Sequence, residues 1–229
     1  GRENLETMVR ACRDRGYAYC AITDHSKVLA MAFGFDEARV RQSVDEIAAV
    51  RKQVPGIEVL HGLEVDILAD GALDLSDDGF ALLDFVIVSL HSRLDQPGPQ
   101  LTERVLRGIS HPAVHLFGHP TGRLLGARQA AAFDMERVIE RAAELGVAME
   151  ISAQPDRIDL KDTHARLAKE KGVRLVIDTD AHSAVQLENI RFGVFAARRA
   201  GLTKDDVLNT LPFERFQQAL RRSRPALAG

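Results

Sequence analysis

Four histidines and two acidic residues of this 229-residue chain stand at positions from which they could bind transition-metal ions. Each of them ends, or shortly follows, a short apolar segment typical of a β-strand. In chain order they are His25, Glu64, His91, His119, Asp180 and His182. Imidazole and carboxylate groups suit Zn²⁺, Mn²⁺ or Fe²⁺, and six such groups exceed the needs of one tetrahedral ion. The set therefore predicts more than one metal ion, and clustered ions would activate water and neutralise charge on a phosphoryl oxygen.

Apolar periodicity predicts an alternation of strands and helices that could bring these groups together. The predicted strands are 17–23, 57–67, 83–90, 114–118, 147–151 and 173–177. The predicted helices are 4–15, 36–52, 101–108, 135–145, 163–170, 187–200, 204–209 and 213–221, with 96–99 as a loop. Alternating elements of this length predict a parallel sheet with right-handed crossovers. The chain is slightly shorter than the ~250 residues typical of a complete eight-stranded (β/α) barrel.

The period-2 alternation of strands indicates which side chains share a face. Glu64 lies opposite the apolar residues of 57–67 that should pack on helices, whereas His61 lies among them and is expected to be structural. In the fourth strand, His115, Phe117 and His119 are expected to share a face, with His115 deeper and buried. If the strands close into a barrel, all six candidate ligands converge at the carboxyl-end mouth, where such barrels carry their active sites.

Four further polar residues are left outside the ligand set. His111 precedes a proline in a turn and His164 lies on a polar helix, so both are expected at the surface. Glu150 and Asp178 lie on the same strand faces as the candidate ligands or directly beside them. They could orient histidines from outside the metal sphere, or be buried hydrogen-bonding carboxylates without a catalytic role.

Composition excludes several classes of protein. Thirty Lys and Arg against 33 Asp and Glu give a net charge of −3, which argues against indiscriminate nucleic-acid binding. Two cysteines, Cys12 and Cys20, cannot staple a fold of this size, so we expect a reducing, cytoplasmic location. No apolar run approaches the roughly 18 residues of a membrane span, so no membrane partner is expected. No shift of composition marks a boundary, which indicates a single domain over residues 1–229.

Five short segments resemble, in order and spacing, the PHP (polymerase and histidinol phosphatase) family. They are Ile22-Thr23-Asp24-His25-Ser26, Gly62-Leu63-Glu64-Val65-Asp66-Ile67, Ser89-Leu90-His91-Ser92, Gly118-His119-Pro120 and Asp178-Thr179-Asp180-Ala181-His182-Ser183. Two longer segments resemble the C-terminal PHP domain of bacterial family X DNA polymerases. They are His119-Pro120-Thr121-Gly122-Arg123-Leu124-Leu125-Gly126 and Glu150-Ile151-Ser152-Ala153-Gln154-Pro155-Asp156-Arg157. Ser152 stands where that family usually has Asn.

The resemblance implies an α/β fold, a distorted TIM-like (β/α)7 barrel, with two to three divalent ions, Mn or Zn and possibly Fe. It implies that Glu64 bridges two ions and that His91 and His119 complete the second site. Asp180 is assigned to the first site, and His25 and His182 to the third. Glu64, His91 and Asp180 are the expected catalytic residues. In family X polymerases this domain resembles a Mn²⁺-dependent 3′-5′ exonuclease.

The resemblance also implies that a first strand is missing. That strand carries a His-x-His pair in the family, and Gly1-Arg2-Glu3-Asn4 resembles the sequence immediately after it. Only the site of Glu64, His91 and His119 would then be complete. We expect the single PHP metallo-phosphoesterase domain to be N-terminally truncated relative to the family. It would belong to a longer chain that also carries a polymerase domain, and the fragment alone could then be inactive. The alternative is a naturally degenerate protein.

These features together favour a metal-dependent phosphodiesterase that processes DNA 3′ ends. Lys27, Arg123 and Arg157 lie just past strand ends and are candidates for binding substrate phosphates, or alternatively form salt bridges on the rim. A small-molecule phosphomonoesterase of the histidinol phosphatase kind would share the metal chemistry. A non-catalytic domain that stabilises a polymerase is the third alternative.

Overall fold

The computed structural model describes residues 3–28 and 34–222, which form one curled, all-parallel sheet surrounded by helices. The strands are β1 (Tyr19–His25), β2 (Glu58–Asp66), β3 (Phe85–Ser89), β4 (Leu116–Phe117), β5 (Ala148–Ser152) and β6 (Leu175–Asp178). The helices are α1 (Leu5–Asp14), α2 (Glu37–Gln53), α3 (Asp77–Phe80), α4 (Gly98–Ile109), α5 (Met135–Leu145), α6 (Asp162–Glu170), α7 (Ile190–Arg199) and α8 (Phe213–Arg222). In space the strands follow their order in the chain, from β1 to β6.

The expected α/β class and parallel sheet are confirmed, and the sheet is a half-barrel consistent with a distorted TIM-like barrel. Its register places site residues side by side, with His25 opposite Glu64 and Ser152 opposite Asp178. The missing first strand remains a prediction. Within the described residues, no helix is both long enough and apolar enough to cross a membrane.

The concave face of the sheet is divided into an apolar floor and a polar rim. The floor is formed near the amino ends of the strands and is filled by Phe216 and Leu220 of α8. The strand residues that pack there are Leu60, Phe85, Leu116, Ala148 and Val176. Because side chains alternate along each strand, the next positions on this face lie nearer the carboxyl ends and carry the polar groups. The helix α8 therefore closes one end of the half-barrel and leaves the other end for chemistry.

The convex face of the sheet packs against the surrounding helices. Leu63 and Val65 of β2 are fully buried there, together with Leu101 of α4 and Ile139 of α5. The helix ends are fixed by the signals expected from the sequence. Asp134 accepts a hydrogen bond from the third backbone N–H of α5, and Gly146 ends that helix with a φ of 71°.

Two expectations about local structure are wrong. The helix α4 begins at Gly98, inside the expected loop, because proline is tolerated in the first turn of a helix. The fourth strand contains only Leu116 and Phe117, and its faces are the reverse of those expected. Leu116 packs in the interior floor, whereas Phe117 lies among the helix-facing residues.

Candidate metal centre

Three imidazoles surround the carboxylate of Glu64 at the carboxyl ends of the strands. Oε1 of Glu64 lies 2.9 Å from Nε2 of His119 and 3.3 Å from Nε2 of His91. Oε2 of Glu64 lies 3.5 Å from Nδ1 of His25. The possible ligand atoms of His25, Glu64 and His91 all lie within 4.8 Å of one another. The Glu64 side chain is only 7% exposed, so its charge faces these imidazoles rather than water.

Unpartnered polar atoms show that the cluster fits a metal centre. Nδ1 of His25 and Nδ1 of His119 are both buried without a hydrogen-bond partner. Buried polar atoms are rarely left unpaired, because each loses its hydration without compensation. Imidazole nitrogens and a carboxylate oxygen are together a ligand set for Zn²⁺, Mn²⁺ or Fe²⁺. A divalent ion would supply the partner that these atoms lack.

Asp66 fixes the orientation of His91. Nδ1 of His91 donates to Oδ1 of Asp66 across 3.2 Å, which turns Nε2 toward Glu64. Burial alone would lower the pKa of His91, but its hydrogen bonds to Asp66 and Glu64 raise that pKa to about 9. A carboxylate that accepts the second ring N–H of a ligating histidine orients the ring and strengthens it as a ligand. Asp66 has that position here.

The neighbouring imidazoles favour the ionised form of Glu64. Burial alone would raise its pKa, but the charge of His119 and hydrogen bonds to His119 and His91 hold that pKa well below its usual range. For His25 the balance is opposite, because burial lowers its pKa more than Glu64 raises it. A neutral imidazole beside an ionised carboxylate is the protonation state that a metal ligand requires.

Two carboxyl groups, a buried one of Glu150 and a half-buried one of Asp178, support the backbone of two candidate ligands. Glu150 accepts a hydrogen bond from the backbone N–H of His119, and Asp178 accepts one from that of Asp180 across 3.3 Å. Both ligand residues have positive φ, 23° at His119 and 43° at Asp180, where a side chain needs such support. Burial and Asp178 raise the pKa of Glu150 well above its usual range. The two groups therefore act on the backbone of the ligands.

Asp180 and His182 lie farther out in the same mouth. The side chain of Asp180 is 24% exposed and that of His182 is 50% exposed. Nδ1 of His182 donates to the backbone carbonyl of Asp180 across 2.8 Å, which leaves Nε2 as the ring nitrogen for a ligand. Gln154 donates to the carbonyls of Thr179 and Asp180 and so holds this loop against β5. The structure thus places all six candidate ligands around one mouth. His25, His91 and His119 lie next to Glu64, and Asp180 and His182 lie farther out.

The three candidate phosphate-binding residues differ in their surroundings. Lys27 is exposed, but it lines a cavity of about 250 Å³ whose wall also carries acidic residues, namely Asp36, Glu37 and Asp74. Arg123 donates from Nε to the carbonyl of Arg157 across 2.8 Å and from Nη2 to that of Ile158. Nη1 of Arg157 is buried without a hydrogen-bond partner. Arg123 therefore supports the segment that carries Arg157, a contact that the sequence did not predict.

Histidines outside the cluster make structural contacts. Nε2 of His61 lies 2.9 Å from the Ser43 hydroxyl and Nδ1 lies 3.1 Å from the carbonyl of Leu82. His115 is buried, and its Nδ1 accepts from the backbone N–H of Val86. His164 is more buried than expected, and its Nδ1 has no hydrogen-bond partner. His164 lines a cavity, so its ring is half-buried there and not fully exposed on the surface of α6 as expected.

Two residues of the site were missed by the sequence reasoning. Asp66 lies on the same strand face as Glu64, so the alternation could have singled it out. At Gly118, a Cβ atom would lie 2.6 Å from Oγ of Ser89 and 2.7 Å from Cγ2 of Ile87. Only glycine allows the turn into His119 to pass so close to β3.

Comparison with known proteins agrees with this geometry. The family described as "PHP domain" matches residues 1–154. The DNA polymerase/3′-5′ exonuclease PolX of Bacillus subtilis (strain 168) is 39% identical over 97% of this chain and 39% of that protein. A probable phosphatase of Thermoanaerobacter sp. (strain X514) is 31% identical over 69% of this chain and 66% of that protein. The chain thus spans about two fifths of the length of the first relative and just under two thirds of the second.

A solved structure shares the fold at low sequence identity. A chain of the cryo-EM structure of archaeal Ribonuclease P with mature tRNA aligns with a TM-score of 0.54 and 13% identity. The alignment covers 97% of this chain and 85% of that one. At this identity the likeness concerns the arrangement of strands and helices alone.

Proposed function

Because the chain belongs to the PHP domain family, we propose that it is a metal-dependent phosphodiesterase that processes DNA 3′ ends, as a 3′-5′ exonuclease or a related activity. The observation that carries the proposal is the buried Glu64 carboxylate with three imidazoles of His25, His91 and His119 around it. When bound there, divalent ions would supply an activated water and neutralise charge on phosphoryl oxygens. We expect two to three ions, Mn or Zn and possibly Fe.

The two oxygens of Glu64 support its role as a ligand shared between ions. Oε1 faces His91 and His119, whereas Oε2 faces His25. One oxygen of the carboxylate could therefore bind an ion together with His91 and His119, and the other oxygen could bind an ion together with His25. Asp180 would add a ligand from β6, and His182 would add one at the exposed edge of the mouth. Glu64, His91 and Asp180 are the residues to which we assign the catalytic role.

Arg157 is the strongest candidate for binding a substrate phosphate. Burial and the charge of Glu64 raise the pKa of Asp180, whereas the charge of Arg157 lowers it. The guanidinium of Arg157 therefore lies close enough to the metal centre to act on its charges. A guanidinium can bind a phosphate through two parallel hydrogen bonds. Arg123 would act through the carbonyl of Arg157 that it binds, in addition to any contact of its own. Lys27 is the weaker candidate because its surroundings are acidic.

DNA is favoured as the substrate by the likeness to PolX, which covers 97% of the chain at 39% identity. The second candidate is a phosphomonoesterase, which the likeness to probable phosphatases favours. A purely structural domain has less support, because it would leave several buried donor and acceptor atoms of the cluster without a purpose. By analogy with PolX, the domain over residues 1–229 would work in one chain with a polymerase domain, in the cytoplasm.

Hydrolysis of two substrates tests the proposal. The full-length protein that carries this domain together with its first strand would be incubated with Mn²⁺ and either a 3′-labelled oligonucleotide or a small phosphate monoester. We expect release of the labelled 3′ nucleotide, and loss of that release in His91→Ala. The matched control is His111→Ala, which removes a histidine that contacts Asp77 and Phe80 away from the cluster. Hydrolysis of the monoester alone would favour the second candidate, and equal release by wild type and His91→Ala would refute the metal mechanism.

A further inference from the structure

A basic cavity lies between the loop after β4 and the start of α6. Its volume is about 290 Å³, and its wall includes Thr121, Arg123, Arg128, Lys161 and His164. In the described part of the chain, the lining residues include three permanent cations and no carboxylate. A pocket of this size and charge is suited to an anion as large as a phosphate group.

Among the residues that the structure describes, no ion pair neutralises the three cations of this wall, Arg123, Arg128 and Lys161. Nε of Arg128 donates to the carbonyl of Gly122 across 2.7 Å, and the two described contacts of Arg123 are also to carbonyls. Carbonyl acceptors position a guanidinium without cancelling its charge. The buried carboxylate of Asp159, which lies behind the wall, accepts from the backbone N–H and hydroxyl of Thr121. The cavity therefore keeps a surplus of positive charge.

The positive charges of Lys161 and Arg123 both act on the ring of His164 in this cavity. Burial, together with the charges of Lys161 and Arg123, lowers the pKa of His164 to about 4. The imidazole is therefore neutral at pH 7, and its buried Nδ1 has no hydrogen-bond partner. An anion in the cavity would offset the two cations that act on this ring.

The cavity wall is continuous with a segment that leads to the metal centre. Arg123 of that wall donates to the backbone carbonyl of Arg157, and burial together with the charge of Arg157 lowers the pKa of Arg128. Thr121 of the cavity wall lies two residues after His119. A strand of DNA carries a phosphate at every ~3.4 Å along its axis, so neighbouring phosphates need neighbouring positive sites.

We propose that this cavity binds a backbone phosphate of the substrate strand, near the phosphate that is cleaved at the metal centre. The inference rests on the proposed function, because it takes a DNA strand as the ligand. It adds Arg128, Lys161 and His164 to the substrate-binding surface. Arg128 and Lys161 would supply charge, and His164 would supply a neutral ring nitrogen.

Binding of a fluorescent single-stranded oligonucleotide by this chain in EDTA tests the proposal without hydrolysis. Lys161→Ala and Arg128→Ala should each weaken binding about ten- to a hundredfold, as expected for a lost charge-assisted contact. Each should also make the dependence of log affinity on log salt shallower by about 0.7. Lys52→Ala and Arg41→Ala are matched controls, because they remove the same charges from exposed positions on α2. In these control variants, the affinity for the oligonucleotide and the slope of log affinity against log salt should both stay close to the wild-type values.

A scan of the oligonucleotide identifies the phosphate. Replacing single linkages by neutral methylphosphonates should weaken binding to wild type at one linkage near the 3′ end. The same replacement should cost the double variant Lys161→Ala/Arg128→Ala nothing further, because the partner charges are already gone. Cavity variants that bind like the controls would overturn the proposal. So would the absence of such a linkage.

Two further measurements complete the test. One distinguishes a DNA phosphate from free inorganic phosphate, and the other distinguishes failure of the cavity proposal from failure of the proposed phosphodiesterase. Inorganic phosphate that binds wild type but not Lys161→Ala, with oligonucleotide binding unchanged, would overturn the assignment to a DNA strand. If this chain binds oligonucleotide through the cavity but the full-length protein releases no 3′ nucleotide with Mn²⁺, the phosphodiesterase is refuted. That result would leave the cavity proposal supported.

Discussion

Replacing Asp66 by asparagine should weaken metal binding without touching any direct ligand. The carboxylate of Asp66 is 1% exposed and accepts from Nδ1 of His91 across 3.2 Å. Asparagine keeps the size of the side chain but removes its charge, so Nδ1–H of His91 keeps only a neutral amide acceptor or meets an amide N–H, and Nε2 is oriented less firmly. Loss of such a partner typically costs about 10- to 100-fold in metal affinity or activity, or about 1.4–2.8 kcal/mol.

The assay is the Mn²⁺ dissociation constant, measured by calorimetry, with oligonucleotide hydrolysis at several Mn²⁺ concentrations. We expect Asp66→Asn to raise the Mn²⁺ dissociation constant and the Mn²⁺ concentration that hydrolysis requires. Hydrolysis should recover in part at saturating Mn²⁺. Asp78→Asn is the matched control, since it removes an exposed carboxylate in α3. The double variant with His91→Ala should lose no more than His91→Ala alone, because Asp66 acts through that ring. Wild-type affinity and rates in Asp66→Asn would refute this reasoning.

Three other changes test the floor, the turn and the cavity. Phe216→Ala should lower the free energy of unfolding by about 3–5 kcal/mol in a denaturant titration, because Phe216 is buried in the floor. Gly118→Ala should reduce Mn²⁺ affinity in the same calorimetric assay, since its methyl group would lie 2.6 Å from Oγ of Ser89 and 2.7 Å from Cγ2 of Ile87. The pKa of His164 is about 4 in the folded chain and about 6.5 when unfolded, so its contribution to stability is present above pH 6.5 and is lost as the pH falls toward 4. His164→Gln should therefore give a flatter dependence of Tm on pH across that window than wild type.

Regular strands made part of the site predictable from sequence. In β2, alternation correctly separated Glu64 from the helix-facing Leu63 and Val65, because this strand continues over nine residues. The register then brings neighbouring carboxyl ends together, which the parallel topology requires. The position of His25 beside Glu64 follows from these two properties.

Irregular backbone made the rest unpredictable. His119 follows a strand of only two residues and has a φ of 23°, so alternation could not place its side chain. Its position depends on Glu150, a residue that is distant in the chain and binds its backbone N–H. Likewise, the carbonyl partners of Arg123 belong to Arg157 and Ile158, and the sequence carries no local signal for that contact. Contacts between segments far apart in the chain decide these details.

The number of Mn²⁺ ions bound per chain, in wild type and Glu64→Gln, tests the central claim most directly. Both proteins would be dialysed against the same Mn²⁺ concentration and analysed for metal content, with circular dichroism to verify that each is folded. Because Glu64 lies between three imidazoles, its loss should sharply reduce the bound Mn²⁺ of a folded chain. Equal Mn²⁺ content in the two folded proteins would contradict the assignment of this cluster as the metal centre.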